Sequence, residues 1–325
     1  MDNVANLSAE DRADVFKETS LKKGIVPAVV EKDFWVCWVL GKLFESESLS
    51  KKLLFKGGTS LSKVFGLIER FSEDIDLILN WDEIIQQDPY DVRSKTQQDK
   101  FNKAVVEKGC YYIQQNILPE INKLIGNKCE LKIEERTPDT INIRYPVAFS
   151  EDYLRPEIRL EIGPLALWCP NDQFEIQSYT AEEFPSLFEQ PCCKVNAVIA
   201  ERTFWEKATI LHHEAYRAQD KQQPQRYSRH YYDMARMASS SIKDKALKRP
   251  DLLKSVVEFK NKFYPQGWAR YDLAVPGSLK LIPPDYLVEL LKKDYKDMQV
   301  MIYGKKPSFD DIIKELLILQ NEINQ

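Results

Sequence analysis

The stretch KKLLFKGGTSLSKVFGLIERFSEDIDLILN, residues 51–80, contains the elements that decide the fold. Residues 53–56 are apolar enough for a short buried strand, and the two glycines that follow are typical of a tight turn. Residues 59–68 have the apolar spacing of a helix, and residues 74–79 alternate as a strand does. This order predicts a strand, a turn, a helix and a second strand.

Two aspartates lie on the second strand. Asp74 and Asp76 are two residues apart, so both carboxylates project from one face while Ile75, Leu77 and Leu79 point into the core. Aligned carboxylates repel one another unless a cation lies between them, and Mg²⁺ or Mn²⁺ prefers such oxygen ligands beside a substrate phosphate. The strand therefore predicts a metal site.

The turn before the aspartates consists of Lys56, Gly57, Gly58, Thr59 and Ser60. It would bring backbone amides and a helix N-terminus to the edge of the sheet that bears the aspartates. Glycines there permit close approach of a nucleotide phosphate or ribose. The stretch does not match the GxxxxGK[ST] pattern of a Walker A loop, and without the aspartates it would indicate an ordinary helix-start turn.

Helices are predicted on both sides of this unit. The first follows the capping residue Ser8 and ends at Gly24, and Pro27 suits the first turn of the second. We predict an α+β fold, with a mixed β-sheet flanked by helices in residues 1–180 and a mostly helical C-terminal half in residues 181–325. The further strands are expected at residues 129–134, 140–149 and 157–162, and the further helices at 94–125 (kinked or ended at Pro119), 201–218, 228–240, 251–263, 286–302 and 309–323.

The composition excludes several classes of protein. The chain has 325 residues, 43% of them hydrophobic, which suffices for a buried core in about two domains. The formal net charge of −4 is too balanced for a histone-like binder. Residues 34–40 form the longest apolar run, whereas a membrane-spanning helix needs about 20 residues. The polar N-terminus is unlike a signal peptide, so we expect no membrane segment and a cytoplasmic location.

Cysteine and histidine usage agrees with a reducing compartment and disfavours two kinds of site. The six cysteines show no CxxC spacing, which is typical of reduced and mostly buried thiols. His212, His213 and His230 have no zinc-ligand spacing, and the GxSxG motif is absent. Neither a zinc centre nor a Ser-His-Asp hydrolase is expected.

The segment KGGTSLSKVFGLIERFSEDIDL resembles the first motif of the AbiEii-type nucleotidyltransferase toxins, a branch of the DNA polymerase β-like nucleotidyltransferase superfamily. In that superfamily a Gly-Gly or Gly-Ser turn precedes two aspartates that hold the catalytic metals. Glu31-Lys32-Asp33 also resembles a family feature, on the helix before the motif. The motif order is similar over about residues 25–240. The resemblance implies a nucleotidyltransferase-type sheet and an NTP substrate.

The resemblance also implies roles for individual residues. Asp74 and Asp76 take the metal roles, and a third carboxylate on a neighbouring strand would accept the proton of the attacking hydroxyl. Glu161 is the candidate for that base, Glu157 is a rival on the same face, and an ion-paired surface Glu161 is the alternative. The nucleotide contacts are assigned to Lys56, Gly57, Gly58, Thr59 and Ser60.

Two residues of the helical half resemble later motifs of the family, in which a helical lysine and a downstream aspartate complete the site. Lys207 would neutralise the triphosphate, unless it pairs with Glu206 or Glu214 on a solvated face. Asp233 would orient Lys207 or join the metal shell, or else it pairs only with a residue one helical turn earlier, Arg229.

The helical half also carries the basic excess of the chain. Residues 201–270 contain 15 Lys and Arg against 8 Asp and Glu, interleaved with tyrosines. Such a mixture could contact phosphates and stack on bases, although a solvated helical face is the alternative for any one residue. The candidates for nucleic-acid binding are Arg217, Lys221, Arg226 and Arg229.

Taken with the resemblance, these features predict a metal-dependent nucleotidyltransferase, the toxin of a toxin–antitoxin or phage-defence pair. It would transfer NMP from an NTP to a hydroxyl of RNA, with tRNA as a possible acceptor and a cognate antitoxin as a partner. Two alternatives remain: a catalytically inactive binding protein with the same fold, and transfer onto a protein acceptor.

Overall fold

A computed structural model describes residues 1–151, 154–166 and 168–325. The chain forms two compact units. The first consists of Met1–Val64 and Phe71–Val198, and the second of Phe65–Arg70 and Ile199–Gln325. The six residues Phe65–Arg70 therefore belong to the second unit although the chain on either side of them belongs to the first.

The first unit contains a seven-stranded mixed sheet in the order β3-β4-β5-β2-β1-β7-β6. The pairs β2·β5 and β1·β7 are parallel, and the other pairs are antiparallel. The predicted α+β fold with a mixed sheet is confirmed. The strands are β1 (Leu53–Lys56), β2 (Asp74–Leu79), β3 (Glu130–Ile133), β4 (Thr140–Arg144), β5 (Ile158–Gly163), β6 (Asn171–Gln177) and β7 (Cys192–Val198).

Three details of the predicted strands were wrong. The strand expected at residues 140–149 ends at Arg144, and the backbone amides of Ala148 and Phe149 bond to a side chain instead. The sequence pattern did not predict β6, which is mostly polar and pairs along one side only. It also assigned β7 to the helical half, although β7 lies between β1 and β6 in the sheet.

The helices of the first unit begin where their capping residues predict. The Ser8 hydroxyl accepts the Asp11 amide, Gly24 ends the same helix in a left-handed conformation, and Pro27 lies in the first turn of α3. The helix expected at residues 59–68 spans only Gly57–Lys63. The helices are α1 (Asp2–Ala5), α2 (Ala9–Lys23), α3 (Pro27–Glu45), α4 (Glu47–Lys52), α5 (Gly57–Lys63), α6 (Lys95–Tyr112), α7 (Leu118–Ile125) and α8 (Tyr179–Glu183).

Pro119 does not end the helical stretch that precedes it. A π-helical segment, Ile113–Ile117, joins α6 to α7, and Pro119 falls in the first turn of α7. The helical path therefore continues to Ile125.

The second unit is built of helices, as expected for this part of the sequence. Ser308 caps the last helix by accepting the Asp311 amide. Across residues 1–151, 154–166 and 168–325, no helix combines the length and the apolar character needed to cross a membrane. The helices are α9 (Ala200–Ala215), α10 (Ser228–Ala238), α11 (Ser241–Leu247), α12 (Pro250–Phe263), α13 (Asp285–Met298) and α14 (Phe309–Asn324).

Candidate active site

The two aspartates of β2 share one face of the strand. Asp74 and Asp76 are half-buried, whereas Ile75, Leu77 and Leu79 between and beyond them are fully buried. This alternation follows from the period of two residues in a strand and matches the sequence-based expectation. Both carboxylates therefore stand on the same side of the sheet.

The glycine turn packs directly against the second of these aspartates. Gly57 has φ +84°, and a Cβ atom there would overlap the Asp76 carboxylate, at 2.7 Å from its Cγ. Only glycine fits this conformation and this space. The Thr59 hydroxyl donates to the Asp74 carbonyl, and the Ser60 hydroxyl donates to the Gly57 carbonyl over 2.9 Å. These two buried hydroxyls brace the turn; their contacts with a nucleotide stay a prediction.

We expect Gly57→Ala to impair any reaction that depends on Asp76, because the new methyl group must displace that carboxylate. The left-handed backbone adds a cost of about 1–2 kcal/mol in unfolding free energy. Gly24→Ala is the matched control, since Gly24 has φ +65° and open space around it. Thermal unfolding should show a larger loss for Gly57→Ala, and transfer activity should fall only in that variant. Equal losses in both properties would contradict this packing.

Strand β5 brings further charged groups to the same face. In the parallel register, Asp74 lies opposite Arg159 and Asp76 lies opposite Glu161. Arg159 Nη1 pairs with Glu161 Oε1 at 2.7 Å, so the side chain of the expected base is oriented by its strand neighbour. The rival, Glu157, precedes the first residue of β5. Lys56 lies opposite Asp76 on the other side of β2.

The charge balance around Asp74 suits a hard cation. Burial, and then the negative charge of Glu73, raises the pKa of the Asp74 carboxyl; Arg159 and Lys32 oppose this, and Asp76 adds to it. A negative charge on Asp74 thus carries an electrostatic penalty that a bound cation would relieve, and carboxylate oxygens are the donors that Mg²⁺ and Mn²⁺ prefer. Over residues 1–151, 154–166 and 168–325, no three His, Cys, Asp or Glu side chains form a metal-binding cluster.

Three consecutive buried charges lie on α3, in the segment that resembles a family feature. Glu31, Lys32 and Asp33 are at most 2% exposed. Charged side chains are almost never buried in this way without partners. The Glu31 carboxylate accepts the amides of Ala148 and Phe149, which follow β4, over 2.9 and 3.0 Å.

Lys32 and Asp33 form ion pairs with two residues of the first motif. Lys32 Nζ pairs at 3.0 Å with Glu73, the residue directly before Asp74 in the chain. Asp33 pairs with Lys63, the last residue of α5, at 2.7 Å. These ion pairs fix the segment that leads into β2 and the helix that follows the glycine turn.

The second unit holds a separate group of buried charges. Lys207 Nζ on α9 pairs with Asp233 Oδ2 on α10 at 2.7 Å, and Arg70 donates to both oxygens of the same carboxylate. The alternative partners expected for Lys207 are engaged elsewhere: Glu206 pairs with Arg202 at 3.2 Å and Glu214 with Arg217 at 2.6 Å. Asp233 is therefore the carboxylate partner of Lys207, and its role in orienting Lys207 stays a prediction.

Burial sets the ionisation of this group. Burial lowers the pKa of Lys207, and Arg70 adds to the lowering while Asp233 opposes it. Although burial alone would raise it, Arg70 and Lys207 hold the pKa of Asp233 well below its usual range. Lys207 and Arg70 thus share the Asp233 carboxylate as a partner.

All three histidines of the chain lie in this unit and are neutral when it is folded. Burial lowers the pKa of His212 and His230 and lowers that of His213 to about 4. His230 Nδ1 lies 3.2 Å from Lys207 Nζ. His212 is bonded through both ring nitrogens, to the Arg270 carbonyl and the Lys280 amide.

We expect the free energy of unfolding to fall as the pH is lowered from 7 to 5. Unfolded histidines bind protons below about pH 6.5, whereas the folded ones do not, so their contribution is present above that value and lost below it. For His213, whose folded pKa is about 4, the loss should be of order 1 kcal/mol, and the other two histidines should add to it. Urea unfolding at several pH values measures it, and a flat profile over this range would contradict the buried neutral state.

The four candidate residues for nucleic-acid binding differ in their exposure and in their partners. Arg217 is buried and pairs with Glu214. The Arg217 guanidinium and the Lys221 ammonium both lie over the Trp268 ring, at 4.9 and 5.6 Å from its centroid. Arg226 is exposed and has φ 60°, where its amide donates to an aspartate of α13. Arg229, on the first turn of α10, is half-buried.

Comparisons with known proteins agree with these features. The family model described as nucleotidyl transferase AbiEii toxin, type IV TA system, matches residues 38–315. No curated protein matches the sequence. Two solved structures are similar to this chain. MenT4, a nucleotidyltransferase toxin from Mycobacterium tuberculosis, has 15% identity and a TM-score of 0.44, and the match covers 95% of this chain and 99% of that one. JHP933 from Helicobacter pylori has 14% identity and a TM-score of 0.44, and the match covers 91% of each chain.

The family match extends over most of the chain and includes β2, the glycine turn and the helices that carry Lys207 and Asp233. The chain therefore belongs to the AbiEii family of nucleotidyl transferase toxins.

Proposed function

We propose that this protein transfers NMP from an NTP to a hydroxyl group of RNA, with tRNA among the candidate acceptors, and that Asp74 and Asp76 are its central catalytic residues. The observation that carries the proposal is the pair of carboxylates on one face of β2, with the Gly57 turn packed against Asp76. Membership of the AbiEii family supports the reaction class.

Asp74 and Asp76 are the proposed ligands of Mg²⁺ or Mn²⁺. A bound divalent ion would supply Lewis-acid stabilisation of the phosphoryl oxygens and acidify the attacking hydroxyl. Arg159 orients the Glu161 carboxylate on the neighbouring strand. We propose that this carboxylate accepts the proton of the acceptor hydroxyl, in which case pyrophosphate leaves as the new phosphodiester bond forms.

The second unit contributes the proposed phosphate contact. Lys207 is held by Asp233, and its ammonium group is the proposed partner of the triphosphate. Lys221, Arg226 and Arg229 are the proposed contacts for an RNA backbone. We further propose a cognate antitoxin partner and action in the cytoplasm, where the six free thiols would stay reduced.

The test is to incubate the purified protein with each α-labelled NTP, Mg²⁺ and total RNA, with Asp76→Asn as the inactive control. Label should appear in RNA with the wild type only. Label on a protein instead of RNA would overturn the acceptor. NTP with Mg²⁺ at about 100 times the dissociation constant should also raise the free energy of unfolding by about 2.7 kcal/mol. If this stabilisation is absent and no molecule gains label, the chain is a binding protein with a nucleotidyltransferase fold.

A further inference from the structure

Arg70, which has no role in the reaction proposed above, lies in the short segment Phe65–Arg70. The Arg70 side chain is 3% exposed, and its Nε and Nη2 donate to Asp233 Oδ1 and Oδ2 over 2.7 and 2.8 Å. Lys207 donates to the same Oδ2 over 2.7 Å. A single fully buried carboxylate thus lies between two cations.

The backbone of this segment is held firmly in the second unit. The Glu69 carbonyl accepts the Tyr303 amide over 3.1 Å, and Arg70 forms a β-bridge with Ile302. The Glu69 side chain pairs with Arg236 of α10 at 3.4 Å. Arg70 therefore reaches Asp233 from a fixed position, and its two parallel bonds set the plane of the carboxylate.

The geometry leaves part of the Lys207 ammonium available. An ammonium group has three hydrogens. Two partners are present in the part of the chain that the structure describes, Asp233 Oδ2 at 2.7 Å and His230 Nδ1 at 3.2 Å. If His230 Nδ1 accepts the second hydrogen, the third has no partner among the described residues and can be donated to a ligand.

We propose that Arg70 is a positioning residue for Lys207. By bonding both oxygens of Asp233, Arg70 weakens the pull of that carboxylate on Lys207 and keeps the ammonium directed at the phosphates of the NTP. This inference rests on the proposed function, because it gives Lys207 a nucleotide ligand. Arg70 itself has no contact with the nucleotide in this scheme, and its effect passes through Asp233.

Removing Arg70 should therefore weaken nucleotide binding. In Arg70→Met the Asp233 carboxylate is left to Lys207 alone, so the two form a tighter pair and the ammonium is withdrawn from the ligand. We expect the dissociation constant and KM for NTP to rise by about 10-fold or more, the typical effect of losing a charge-assisted hydrogen bond, with a smaller change in kcat. Arg70→Lys keeps the charge but loses the fork, so its effect should be intermediate.

The test is a double-mutant cycle on wild type, Arg70→Met, Asp233→Asn and the double variant. Binding of the α,β-methylene analogues of ATP, GTP, CTP and UTP is measured by calorimetry, alongside KM, kcat and Tm. If Arg70 acts through Asp233, Arg70→Met should change the dissociation constant less than about 2-fold in the Asp233→Asn background. The double variant removes both charges, so it should fold even if Arg70→Met alone does not.

Arg236→Met is the matched control, because it breaks the neighbouring ion pair to Glu69 and leaves Asp233 untouched. It should change KM by less than about 2-fold. Additive effects in the cycle, or a lower Tm and kcat at unchanged affinity in Arg70→Met, would overturn the role of Arg70 while leaving the proposed function intact. A wild type that binds none of the four analogues would overturn the proposed function, and the role of Arg70 with it.

Discussion

Replacing Asp74 by asparagine is expected to abolish nucleotidyl transfer and to leave the folded protein at least as stable as the wild type. Asparagine has nearly the same shape but cannot hold a divalent cation by charge. Removing a group that merely supports a metal ligand costs about 10- to 100-fold, so loss of a ligand itself should cost more than about 100-fold in kcat/KM. Asp76→Asn should behave in the same way in activity.

The stability effect of Asp74→Asn follows from the raised pKa of its carboxyl. Burial and then Glu73 raise this pKa, so the folded protein binds a proton there more tightly than the unfolded chain does. At neutral pH the ionised carboxylate therefore weighs against folding, and asparagine removes that penalty. The advantage of the variant should shrink as the pH falls through the folded pKa, because the wild type then becomes neutral too, and should vanish below the unfolded pKa of about 3.9.

Transfer of label to RNA and thermal unfolding at pH 7 and pH 4 measure these two effects. Asp172→Asn is the matched control, since Asp172 is an exposed carboxylate on β6 of the same sheet. That variant should retain both the activity and the stability of the wild type. An Asp74→Asn protein that still transfers NMP would rule out the assignment, and one that is markedly less stable would show that the carboxylate serves the fold.

The part of this site that the sequence revealed is the part held together by local geometry. The spacing of Asp74 and Asp76 fixes their common face because a strand has a period of two residues. The glycine turn lies only 19 residues or so upstream, and its contact with Asp76 follows from the pairing of adjacent strands β1 and β2. Capping by Ser8 and Ser308 was equally visible, because a cap joins residues three apart.

The parts that the sequence did not reveal depend on partners far apart in the chain. Lys32 meets Glu73 41 residues away, and Glu31 meets Ala148 117 residues away. Arg70 and Asp233 are 163 residues apart. A charged residue is expected on a solvated face unless a partner for it is known. The sequence therefore gave no reason to expect these charges to be buried.

Strand β7 was missed for a related reason. Its inward residues Cys193, Val195 and Ala197 are small, and nothing near them in sequence indicates the parallel pairing with β1, more than 130 residues earlier. Parallel neighbours in a sheet always require a crossover connection, so they are never joined by a short turn. The resemblance to the family still indicated a candidate site, because it rests on individual residues of the motifs and not on the strands that support them.

Lys207→Met is expected to reduce kcat/KM for NTP by about 100-fold or more, the scale seen when one preorganised donor to a developing negative charge is removed. The fold should tolerate the change. Burial lowers the pKa of Lys207, which means that its positive charge weighs against folding at neutral pH, and methionine keeps most of the length of the side chain without the charge. Asp233 also keeps both bonds from Arg70.

Steady-state kinetics, nucleotide binding and Tm separate these effects. Lys260→Met is the matched control, because Lys260 is also a partly buried lysine that bonds α9, through the Thr209 hydroxyl at 2.7 Å. Its loss should affect Tm more than kcat/KM. Transfer by Lys207→Met within about threefold of the wild-type rate would remove Lys207 from the reaction. Loss of activity at unchanged Tm, in contrast, would show that its buried charge is kept for the anionic ligand, since the fold alone does not need it.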